Sequence, residues 1–184
     1  MSRSHQSVRA LCEGAILIAV AEVLSFLPLY KFPWGGSIDF SMLPILFFCV
    51  RWGFGPGMLV SCAHGLLQAL FEGGIAIGWE SILGDFLVAY AVLGVAGLCK
   101  GRFCPAAILA CVLRFLVHYV VGATIWAEYM PENFFGMTMT TPWIYSALYN
   151  GAYMLPDLVL LLAIYFLLRT TPLAPYFRGD DLLR

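Results

Sequence analysis

Six long apolar runs, separated by short polar breaks, restrict this chain more than any other feature. A bilayer core about 30 Å thick is crossed by about 20 helical residues rising about 1.5 Å each. The runs cover 8–29, 38–52, 55–71, 77–99, 105–127 and 142–168, which leaves no room for a second domain in 184 residues. Charged residues make up 11% of the chain against about a quarter in soluble domains, while 61% is hydrophobic. The reading is an all-α integral membrane protein, one domain over 1–184 with six transmembrane helices. The second run is short and carries Pro44, which suits a tilted or protein-buried helix.

Basic residues orient the runs. Arg3, Arg9, Arg51, Lys100, Arg102, Arg169, Arg178 and Arg184 all fall on one side, and only Lys31 falls on the other. The positive-inside rule then predicts that both termini are cytoplasmic. The opposite side gathers Asp39, Glu72, Glu80, Glu128 and Glu132 with Trp34, Trp79, Trp126 and Trp143. These fit an interfacial aromatic belt with solvated acids, and they also favour a cationic or aromatic solute. The residues after the first run lack a small-residue cleavage pattern, so that run is kept as a span. Six cysteines without a CxxC pair read as small apolar residues, and no metal site is expected.

Charges inside an apolar span are costly and mark function or a partner. Here they are Glu13, Glu22, Asp85, Arg114 and Asp157, accompanied by His64, His118 and Asn150. Helix rise puts Asp85 about 12 Å below the outer edge and Arg114 about 14 Å above the inner one, close enough in depth for an ion pair. Asn150, His118 and Glu22 share that stratum, whereas Glu13 and Asp157 fall near the inner edge and read as partner contacts or snorkelling charges. In the fifth span Arg114, His118, Gly122 and Trp126 recur every four residues, with Gly122 leaving space for a flat molecule. In the sixth, Tyr145, Tyr149 and Tyr153 do the same, and Asn150 is offset from Tyr145. The fourth, fifth and sixth spans therefore suggest one outward pocket.

Leu87-Val88-Ala89, Leu93 to Leu98, His118 to Gly122 ending in Trp126, and Tyr145-Ser146 with Asn150-Gly151 resemble the thiamine-specific substrate-binding subunit of energy-coupling factor transporters. Trp34 and Pro44-Ile45-Leu46 extend the likeness over almost the whole chain. The resemblance implies an S-component-like bundle in a bacterial cell membrane that binds thiamine from outside. It also implies partnership with a transmembrane coupling protein and two ATPases. It places Trp34, His118, Gly122, Trp126, Tyr145 and Asn150 at binding positions, with Asp85 where the family has a glutamate and Phe86 where it has a tyrosine. Glu22, Phe86, Trp79 and Tyr149 are further candidates; Glu22 either compensates for the shorter Asp85 or bonds a neighbouring helix. Ala15 and Ala19 form a small-xxx-small pattern that the resemblance assigns to docking the coupling protein.

Chemistry agrees with that ligand. Thiamine carries a thiazolium cation and a flat aminopyrimidine, which call for ring faces, a carboxylate and amide or imidazole groups. No GxxxxGK[ST] loop is present, so ATP hydrolysis is expected in partner subunits rather than in this chain. No cofactor and no nucleic acid are expected. Related cationic heterocycles remain open, as do hydroxyethylthiazole and riboflavin. A membrane enzyme using His118 with Asp85 is the alternative from another class, although neither GxSxG nor HExxH occurs.

Overall fold

A computed structural model describes residues 3–33, 35–72 and 78–182. Its elements are α1 (Arg3–Ser25), a two-stranded hairpin of β1 (Tyr30–Lys31) and β2 (Ser37–Ile38), α2 (Met42–Trp52), α3 (Phe54–Phe71), a composite α4 (Trp79–Cys99), α5 (Phe103–Thr124), a second hairpin of β3 (Asn133–Phe134) and β4 (Met137–Thr138), α6 (Pro142–Leu168) and a short α7 (Ala174–Arg178). Both hairpins are antiparallel. The second turns through Phe135 and Gly136, both at positive φ.

Local chemistry explains most boundaries. α1 stops at Ser25, whose hydroxyl donates to the Glu22 carbonyl, and Pro28 follows it, so the first run ends earlier than its apolar length suggested. α6 begins with Thr141 accepting from the Ile144 amide and with Pro142 in the first turn, a standard helix start.

Among the described residues, four helices are long and apolar enough to cross a bilayer: α3, α4, α5 and α6. α1 has 23 residues but carries Arg9, Glu13 and Glu22. α2 has 11 residues and spans only about 16 Å. It is not a lipid-facing crossing. Pro44 to Arg51 are all buried, with Ile45, Leu46 and Cys49 at zero exposure, so α2 forms the centre around which α1, α3 and α4 pack.

α4 approaches α3 along a glycine seam. A Cβ at Gly94 would lie 2.6 Å from Met58 Sδ, and one at Gly97 would overlap the Gly53 backbone. Its hydrogen-bond pattern changes along its length, from π-helical turns over Ile82–Val88 to 3₁₀ turns over Val92–Cys99. The wide π turns carry Asp85, a placement typical of ligand sites.

At the end of the bundle where both termini lie, Arg51 is 1% exposed. Its guanidinium donates to Glu13 at 2.7 Å, to Asp181 and to the Tyr176 carbonyl, and it stacks 3.9 Å over the Tyr176 ring. Arg9 and Trp52 also donate to Glu13. Glu13 is therefore bound within the chain rather than snorkelling or awaiting a partner. Arg51, counted from sequence only as a cytoplasmic-side charge, is sealed there by the chain after α6, which folds back and stacks Phe177 on Phe47 at 4.1 Å.

Candidate functional site

At the opposite end, α3 to α6 with Lys31 and the chain from Gly35 to Ser41 surround a cavity of about 520 Å³, within the range that holds small molecules. The expected walls of α4, α5 and α6 are joined by Gln68 of α3, by Glu72 just after it, and by Gly35, Gly36, Ser37, Asp39 and Ser41. Arg114, His118 and Gly122 of α5, with Trp126 just beyond its end, line one wall. Tyr145, Ser146, Tyr149, Asn150, Tyr153 and Asp157 line another, at the three- and four-residue spacings of one helix face.

Asp85 lies between these walls with both oxygens engaged. His118 Nδ1 is 3.2 Å from Oδ1, and Trp126 Nε1 donates to Oδ2 at 2.7 Å. Arg114 Nε reaches His118 Nε2 at 3.4 Å, and a guanidinium can only donate. His118 must then carry its proton on Nδ1, which it gives to Asp85. The Asp85–Arg114 ion pair allowed by depth does not form, because Arg114 lies one turn from His118 and the imidazole stands between the charges. The guanidinium rests instead over the Tyr90 ring at 4.1 Å. Phe86 also lines the cavity and lies parallel to Tyr90.

Gly122 and Asn150 serve the α5–α6 contact as well as the cavity. A Cβ at Gly122 would sit 2.5 Å from Ser146 Oγ, so its open space is taken by α6 rather than kept for a flat ligand. Ser146 donates to the Tyr119 carbonyl at 2.8 Å. Asn150 Nδ2 donates to the Ser146 carbonyl, while Tyr153 donates to Asn150 Oδ1 at 2.6 Å. Tyr145, Tyr149 and Tyr153 form a ladder with ring centroids 5.7 and 5.8 Å apart, and Phe134 of β3 meets Tyr145 edge-on at 5.1 Å. Ring faces beside a carboxylate suit a flat cation.

Other expected residues lie elsewhere. Glu22 is buried but does not line the cavity; it accepts from Gln68 at 2.8 Å and pairs with His64 at 2.7 Å, joining α1 to α3. Trp79 is 67% exposed and outside the cavity. Trp34 lies outside the described residues, as does Ile77, the expected start of the fourth span. Ala15 and Ala19 are exposed on α1.

Asp157 was expected near the inner edge and away from any pocket, yet it lines the cavity and accepts the Asp39 amide at 3.0 Å. The chain before α2 dips into the bundle and carries Asp39 with it, since α2 is too short to start at the surface. The signal was present in the spacing: Asp157 continues the Tyr145, Tyr149, Tyr153 series by four residues. Gln68, Tyr90, Asp39 and Ser41 gave no such signal.

A bundle of apolar helices holding an aromatic, acid-bearing cavity defines a membrane protein that binds a small solute. The family described as thiamine transporter protein matches residues 11–174. The chain belongs to that family. Thiamine transporter ThiT of Bacillus subtilis is 30% identical over 98% of this chain and 99% of its own. Thiamine transporter ThiT of Lacticaseibacillus paracasei is 23% identical over 91% and 90%. A solved structure of ThiT from Listeria monocytogenes superposes with a TM-score of 0.76 at 24% identity, covering 92% of this chain and 98% of that one.

Proposed function

We propose that this chain is the thiamine-binding membrane subunit of an energy-coupling factor transporter, and that the cavity beside Asp85 is where thiamine is captured. The observation that carries the reading is the Asp85 carboxylate, held by His118 and Trp126 within an aromatic cavity. The thiazolium cation lies against that carboxylate and the neighbouring rings, where a cation–π contact contributes about 0.5–2 kcal/mol. His118, Trp126, Tyr145 and Tyr149 are the first contacts, with Trp34, Phe86, Gly122 and Asn150 completing the site. The chain is a transporter component rather than an enzyme, and its relatives carry transporter names.

In this reading α1 to α6 are six membrane-inserted segments with both termini cytoplasmic, supported by the distribution of basic residues. The exposed Ala15 and Ala19 let a coupling protein approach α1 closely, and two ATPases supply the energy.

Calorimetric titration of the detergent-purified chain tests the ligand. Thiamine is expected to bind with a nanomolar dissociation constant, equivalent to about 12 kcal/mol, and to quench Trp126 fluorescence. Hydroxyethylthiazole and riboflavin are expected to bind far more weakly. Tighter binding of either would assign the cavity to that compound instead.

A further inference from the structure

The polar groups of the cavity fall at two levels. The upper one is the Asp85, His118 and Trp126 group. The lower one, about ten ångströms further along α6 from Asn150 at 1.5 Å per residue, contains Asp157 with Asp39, Ser41 and Arg114, all in the cavity lining. The upper residues account for a cation and its ring. They assign no ligand contact to Asp157.

The lower residues differ in what they still have to give. Asp39 is committed to its own loop: Oδ2 accepts from the Ser37 hydroxyl at 2.7 Å and Oδ1 from the Ser41 amide at 2.7 Å. Asp157 is 5% exposed, and one oxygen accepts the Asp39 amide. Its other oxygen accepts a hydrogen bond from no described residue. That oxygen is not sealed in protein, and Asp157 lines the cavity, so it is open to a donor on a ligand. A carboxylate oxygen is an acceptor, so the missing partner is an N–H or O–H group.

We propose that Asp157 forms a second polar subsite at the cavity floor, which accepts a hydrogen bond from a neutral donor group at the far end of the ligand. This deepens the thiamine reading and rests on it. Thiamine has two such donors, the amino group of its pyrimidine and the hydroxyl of its side chain. The length of the wall from Tyr145 to Asp157, about 18 Å, admits both rings end to end. Asp157 thereby sets specificity: a ligand that ends in an apolar group leaves the carboxylate unpaired.

The test is a cycle between protein and ligand. Asp157→Asn keeps a side-chain oxygen for the Asp39 amide and turns the second acceptor into a donor. Titrations of the unsubstituted protein and the variant use thiamine, an analogue with the amino group replaced by hydrogen, and an analogue lacking the hydroxyl. Asp157→Asn is expected to weaken thiamine by roughly 10- to 100-fold, the range for a lost charge-assisted hydrogen bond. For the analogue without the relevant donor, the same substitution is expected to cost less than about threefold, and that analogue identifies which end lies at the floor. Equal losses for all three ligands, or no loss with thiamine, would overturn the subsite. If the unsubstituted protein fails to bind thiamine, the ligand assignment falls and the subsite with it. Should Asp157→Asn not fold, Asp157→Ser removes the carboxylate with less steric demand and must give the same pattern.

Discussion

Asp85→Asn separates an electrostatic role for the cavity carboxylate from a structural one. The carboxylate accepts from Trp126 Nε1 at 2.7 Å and from His118 Nδ1 at 3.2 Å. An asparagine has one acceptor oxygen and one donor amide, so it satisfies the closer Trp126 and turns its amide toward His118. The imidazole can answer by moving its proton to Nε2, but that points an N–H at Arg114 Nε, which sits 3.4 Å away and is itself a donor. One buried donor is left unpaired in either arrangement, at a cost of about 1–3 kcal/mol to the fold. The ligand loses more. A unit charge about 5 Å from the carboxylate at an effective dielectric near 20 gains about 3 kcal/mol, which is about two orders of magnitude in affinity. Calorimetric titration of the detergent-purified variant is therefore expected to show thiamine weakened about 100-fold. A neutral isostere, its five-membered ring uncharged, should change by less than about threefold. A comparable loss for both compounds would mean that Asp85 holds the cavity together rather than reading charge, and would refute the electrostatic argument.

Gly122→Ala is expected to lower the thermal midpoint by displacing Ser146, a strain of about 1–3 kcal/mol, and Ser146→Ala in the same chain should restore part of it because the crowding atom is gone. Asp181 tests the clamp at the termini end: the Arg51 hydrogen bond, then that of Arg9, holds its carboxyl well below the ordinary 3.8. A group with a depressed folded value stabilises above its unfolded value and loses that contribution as pH falls. Asp181→Asn should therefore be less stable than the parent at pH 7, with the gap closing as pH drops below about 3.8; a gap independent of pH would exclude the ionic contribution. Replacing Ala15 and Ala19 together with tryptophan is expected to leave thiamine affinity unchanged and abolish uptake in reconstituted vesicles, since both are exposed on α1 and away from the cavity.

Much of the cavity was readable because membrane helices write their faces into short-range spacing. Arg114, His118, Gly122 and Trp126 share one wall as their four-residue period requires, and Tyr145, Tyr149 and Tyr153 share another. Depth was less readable. Counting residues at a constant rise assumes that every helix starts at the membrane surface, an assumption that α2 breaks by beginning deep in the bundle. Asp39 was therefore placed too high and Asp157 outside the pocket. Glu22 shared a stratum with the cavity, but equal depth says nothing about rotation, and its carboxylate turns toward His64 and Gln68.

What the linear chain decided is what depends on neighbours in sequence: apolar segments of bilayer length, the buried character of the Pro44 segment, and the residues that share one helix face. What only the tertiary structure decided is who meets whom across helices. Asp85 answers His118 and Trp126 rather than Arg114, Arg51 is sealed by Glu13 and Asp181, and Asp157 lines the cavity while it accepts the Asp39 amide. The physical reason is that a hydrogen bond requires distances near 3 Å between atoms from distant segments. Helix rotation, tilt and the path of the connecting chain set those distances, and none of the three is encoded in rise per residue.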